Sequence, residues 1–127
     1  GTLNNPSNGA TFHTGGQPGT GVSFTTSGMA VSITGASANQ SFNVQYTLQL
    51  ELDSGPVSGT VDSTAGTIIT CTPAGTWNHN SAANTSATPF VSAGGHSATC
   101  YVDIVDNGNS ANHANKTDTH SFTVVNP

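Results

Sequence analysis

Residues 41–53, SFNVQYTLQLELD, constrain the fold more than any other stretch of this chain. Phe42, Val44, Tyr46, Leu48, Leu50 and Leu52 take every second position, and Asn43, Gln45, Thr47, Gln49 and Glu51 fill the gaps. Successive side chains of a β-strand point to opposite faces, so this period gives one apolar face and one wet face. A helix would scatter the same residues around its circumference. The apolar face of such a strand needs a second layer to cover it.

Shorter segments of the same kind flank it. A brief strand is expected at residues 10–14, then Val22/Phe24 and Met29/Val31/Ile33 alternate. VSGTV, with Val57 and Val61, reads as one strand and GTIITCT as the next, stopped by Pro73. Residues 74–95 read as a long polar loop tacked down by Trp77, Pro89 and Phe90. SATCYVDIV then places Ala98, Cys100, Val102 and Ile104 on one face, and HSFTVV ends the chain. Asn-Pro, Asn-Gly and Ser-Gly-Pro signals separate these segments. About eight strands without a helical period predict an all-β, antiparallel β-sandwich, with 1–127 as a single domain. The strands at 41–53 and 97–105 are expected to face inward and supply much of the core.

Charge narrows the function classes. One Lys, no Arg and six acids make 6% charged residues and a net charge of -5. Ordinary soluble domains carry roughly 25%. Hydration here rests on Thr, Ser, Asn and Gly, residues that suit exposed strands and turns. With a single cation the chain cannot neutralise phosphates, which excludes a nucleic-acid partner. No apolar run reaches the length of a membrane-spanning helix. An extracellular or cell-surface protein fits this composition. Cys71 and Cys100 are the only cysteines, each on a predicted strand. In an oxidising compartment they are expected to pair as a disulfide, the alternative being two buried thiols.

NPSNGATFHTGG near the start, GGHSATCYVDIVDNGN and the terminal SFTVVNP together resemble bacterial immunoglobulin-like (Big and cadherin-like) repeats of cell-surface or extracellular filament proteins. The resemblance implies an immunoglobulin-like β-sandwich serving as a spacer, adhesive or filament unit, joined to itself in a polymer or tandem array. It departs from those repeats in its cysteine pair.

Catalysis is not expected. The five histidines (His13, His79, His96, His113, His120) fall in turns, loops or strand edges, and no Ser occupies a nucleophile elbow. No cofactor is expected, with calcium the one metal the residues admit. Asp103, Asp106, Asn107 and Asn109 offer the oxygen ligands a hard cation takes, although Asp-Asn-Gly is equally a hairpin turn. Asn39, Asn84 and Asn115 head glycosylation sequons, so a glycoprotein is an expectation. The alternative function is a carbohydrate-binding module. Trp77 and Tyr101 are then the side chains that would meet a glycan, or else a neighbouring subunit.

Overall fold

The computed structural model describes residues 2–27, 29–34, 40–70, 76–81 and 86–127, and the described chain is all-β. Twelve strand segments follow one another. The first five are β1 (Thr2–Asn5), β2 (Ala10–His13), β3 (Gly19–Gly21), β4 (Phe24–Ser27) and β5 (Met29–Thr34). Two long strands come next, β6 (Ser41–Leu52) and β7 (Gly55–Thr70). Three short ones follow, β8 (Thr76–Ser81), β9 (Ser86–Ala87) and β10 (Phe90–Ser92). A second long pair, β11 (Gly94–Asp106) and β12 (His113–Val125), completes the chain.

One layer is a five-stranded sheet in the order β2-β12-β11-β6-β7. Its strands are antiparallel except for the β2–β12 pair, which is parallel. The facing layer is built from β1-β4-β9, β5-β8 and β10-β3. β1 and β2 are two halves of one opening strand that changes layers: β1 pairs with β4 and β2 pairs with β12. This is an immunoglobulin-like sandwich.

The alternation read in residues 41–53 is what the core uses. Val44, Leu48 and Leu50 of β6 are buried beside Ala98, Cys100 and Val102 of β11 and Phe122 and Val124 of β12. Leu3, Val22, Phe24, Val31 and Val91 close the core from the other layer. Phe122 is its aromatic centre, with Phe24 and Phe12 edge-on to it at 5.9 Å each.

β6 and β11 are neighbours in one sheet, with Leu50 opposite Cys100, and both turn their apolar faces into the core as expected. Three expectations are corrected. VSGTV and GTIIT belong to one sixteen-residue strand, β7, which follows β6 through irregular register. The segment 74–95 holds three strands, and Val91 enters the core from it. The last strand begins well before HSFTVV: HANKTDTH is the first half of β12, and the turn lies before it, at residues 107–112.

Candidate functional site

Each acidic residue expected at a site is engaged locally. Asp106 Oδ1 accepts the backbone N–H groups of Gly108 at 3.0 Å and Asn43 at 3.3 Å. Its Oδ2 accepts from Asn112 Nδ2 at 3.4 Å, and Asn109 Oδ1 accepts the N–H of Ala111 at 3.2 Å. The Asn107 N–H donates to the Asn43 carbonyl at 2.7 Å. These bonds are the turn chemistry of Asp and Asn. Asp103 stands three positions before Asp106 on an alternating strand, so the two point to opposite faces. Its Oδ1 meets His113 Nε2 at 2.5 Å and accepts from the Tyr101 hydroxyl at 3.1 Å. The structure therefore does not gather the four calcium candidates, and no three His, Cys, Asp or Glu converge among the described residues.

Burial, joined by the hydrogen bond to Asp103, pushes the Tyr101 hydroxyl above its ordinary pKa. Trp77 takes a register position on β8 opposite Ile33. Ile33 in turn lines a cleft of about 320 Å³ at the Asp106 end of the sandwich, with Phe42, Val44, Ile104 and His113. Cys100 is a buried free thiol, and burial raises its pKa. Cys71 lies outside the described residues, as do Asn39 and Asn84. The expected Cys71–Cys100 bridge is unsupported, Cys100 being free. Asn115 is exposed on β12, opposite Asp103.

Two further His–Asp pairs have no local signal: Asp53 is distant in the chain from His96, and Asp118 and His120, close together on β12, are tied to the distant opening strand. His96 Nδ1 lies 2.7 Å from Asp53 Oδ2, and its Nε2 lies 2.7 Å from the Ser92 carbonyl. His120 Nδ1 lies 2.7 Å from the Pro6 carbonyl and its Nε2 3.4 Å from Asp118 Oδ1. Asp118 Oδ2 accepts the Leu3 N–H at 2.8 Å. Asp118 and His120 thus satisfy backbone groups of the opening strand where it changes layers. Both nitrogens of His96 and of His120 face acceptors.

The sheet edges are the remaining feature of size. β7 pairs with β6 alone, and β12 is covered on its outer side by β2 at residues 122–125 and by Asn8 and Gly9 at Ser121. The remaining stretches of both edges are unpaired with any described strand. Ile68 on β7 is 66% exposed.

No family model matches the chain, and no curated protein matches it in sequence. Among solved structures it is similar to the N-terminal domain of PorA, at 12% identity over 94% of this chain and 90% of that one, with a TM-score of 0.26. It is also similar to CfaE, the adhesive subunit of the CFA/I fimbria of enterotoxigenic Escherichia coli, at 13% identity and a TM-score of 0.25. That match covers 99% of this chain and 48% of CfaE, so the chain spans about half of that protein's length. No helix of the described chain is long and apolar enough to cross a membrane.

Proposed function

We propose that this chain is a non-catalytic structural protein of the cell exterior, a subunit or repeat of a surface filament, pilus or adhesin. One observation carries the reading: among the described residues the five-stranded sheet has two edges with open stretches, and the longer carries little charge. Edge strands are ordinarily kept from pairing by shortness, Lys, Pro, β-bulges or a covering loop. β7 runs for sixteen residues with one charged residue, Asp62, and one proline, Pro56, near its start, and its protection rests on three irregularities in its register against β6. The motif resemblance to bacterial immunoglobulin-like repeats points the same way. A surface hydrated by hydroxyls and amides also lets copies approach without the repulsion a charged coat imposes.

Sedimentation velocity and negative-stain microscopy over rising concentration test the reading. Polymers or filaments are expected; a monodisperse monomer at millimolar concentration would end it. The second reading, a carbohydrate-binding module, is favoured by the cleft beside Ile33, whose register partner is Trp77. It predicts retention on a glycan array that is lost on Trp77→Ala.

A further inference from the structure

The geometry points to how the two edges meet: β7 of one copy pairs antiparallel with β12 of a second copy, so that one sheet continues from subunit to subunit. This rests on the structural-subunit reading above and names its partner and contact. Direction comes first. β12, β11, β6 and β7 are antiparallel in turn and even in number. A copy displaced sideways, along the hydrogen-bonding direction, therefore presents its β12 antiparallel to the first copy's β7 without any reversal. The contact joins two different edges, so it repeats where a two-fold contact would close.

Charge comes second. Lys116 is opposite Val102, Val102 is opposite Leu48, and Leu48 is opposite Asp62. The chain's single cation and an acid thus stand in one row at opposite edges of the sheet. A displacement of four strands, about 19 Å at roughly 4.8 Å each, sets Asp62 of one copy directly across from Lys116 of the next. Opposite charges at directly facing positions stabilise a strand pair, and like charges destabilise it. Pairing β7 with another β7 does the reverse. Full overlap of residues 55–70 puts Asp62 opposite Ser63 and leaves the two acids diagonal to each other.

Shape comes third. β2 occupies the outer side of β12 from Phe122 onward, and Asn8 and Gly9 take the backbone of Ser121 just before it. On the far edge β7 begins at Gly55, whose row runs through Leu52 and Ala98 to His120. The strand that would pair therefore starts just short of the level where the edge of β12 is already taken. Between those limits the rows match Ala114 with Thr64, Asn115 with Ser63, Thr117 with Thr60 and Thr119 with Pro56. Pro56, which has no N–H to donate, falls at the end of the pairing, where a proline is tolerated. Strands in a sheet rotate by about −20 to −25° each, so each added copy turns by roughly −80 to −100° for a rise of about 19 Å.

Charge reversal tests the contact in the full chain. Asp62→Lys and Lys116→Asp each place like charges across the junction, and each is expected to raise the concentration at which polymer appears about tenfold. An equimolar mixture of the two variants restores opposite charges at every junction, as does the double reversal, and both are expected to assemble like the wild type. Circular dichroism and melting curves establish that the variants are folded. Single variants that assemble at the wild-type concentration, a mixture that stays monomeric, or closed dimers in place of polymers would each overturn this contact while leaving the structural reading intact. A wild-type chain that never polymerises would overturn both.

Discussion

Asp53→Asn isolates the clasp that closes the β6–β7 end of the sandwich. Both ring nitrogens of His96 lie 2.7 Å from acceptors, Asp53 Oδ2 and the Ser92 carbonyl, so both must donate and the ring is an imidazolium. The cation stacks on Phe122 at 5.5 Å and 27°. The hydrogen bond to Asp53 raises the His96 pKa, against the pull of burial, with the Ser92 carbonyl and the Asp53 charge adding to it. Burial pushes the Asp53 carboxyl up, but the His96 and Ser97 donors and the His96 charge outweigh it and hold it low. Asp53 and Ser54 turn the chain at φ 49° and 67°, a region asparagine enters readily, so the variant keeps the turn. A hydrogen bond to a charged group contributes about 1.5–3 kcal/mol. The Asp53 side chain is 49% exposed, and screening reduces this to roughly 1 kcal/mol, or about 4 °C in a domain of this size. The raised His96 contributes its stability fully below the ordinary histidine value of 6.5 and loses it as pH climbs through the folded pKa. The lowered Asp53 contributes above its ordinary 3.8 and loses it as pH falls through the folded pKa. Scanning calorimetry should therefore show a gap of about 4 °C between wild type and variant near pH 5.5 that closes as pH climbs through the raised His96 pKa. A gap that is constant, or that widens toward alkaline pH, refutes the imidazolium.

Gly19→Ala should cost more than about 2 kcal/mol, because a Cβ there meets the Val91 carbonyl and lies 2.8 Å from the Phe90 ring. Gly95→Ala, where a Cβ meets nothing within 4 Å, is the control, and urea unfolding measures both. Cys100, buried and free, should resist a thiol reagent in the native state and react on unfolding, and reductant should leave the melting temperature within about 1 °C; a disulfide would contribute roughly 2–4 kcal/mol. Asp106→Ala removes the acceptor for Gly108 and Asn43 and should lower stability by about 1 kcal/mol in calcium and in chelator alike. A loss confined to calcium-containing buffer would assign Asp106 to a calcium site.

Strands with one dry face were legible because burial imposes a period of two on them. β6 and β11 are of that kind, and their limits were read to within a few residues. The first half of β12 carries no such signal. Lys116, Asp118 and His120 share the inward parity of Phe122 and Val124, yet no core covers them. Asp118 and His120 instead hold Leu3 and Pro6 of the opening strand, a contact spanning more than a hundred residues that no local pattern announces. β8, β9 and β10 were hidden in a polar stretch that carries no run of alternating apolar residues, although Val91 is buried in the core. A disulfide is not legible for a related reason. Residue type and compartment favour pairing, but proximity depends on strand order, and strand order is a long-range property. The row from Lys116 to Asp62 is likewise invisible until four strands are set side by side.

Asn115 brings the surface and the edge into conflict. It heads a sequon, is exposed, and sits next to Lys116 on the open edge of β12. In the edge-to-edge contact its row mate is Ser63 of the neighbouring copy, at the roughly 4.5–5.5 Å Cβ separation of directly facing strand residues. A glycan is bulky and keeps its own water, so one at Asn115 cannot share that space with a paired strand. The two fates exclude each other, and the polymer should select the unmodified chain. Peptide mass spectrometry of assembled and unassembled fractions from the same preparation measures the choice. Occupancy at Asn115 is expected to be near zero in polymer. Equal glycan occupancy in both fractions would place the subunit contact elsewhere, because an edge that carries a sugar and still pairs is not the edge described.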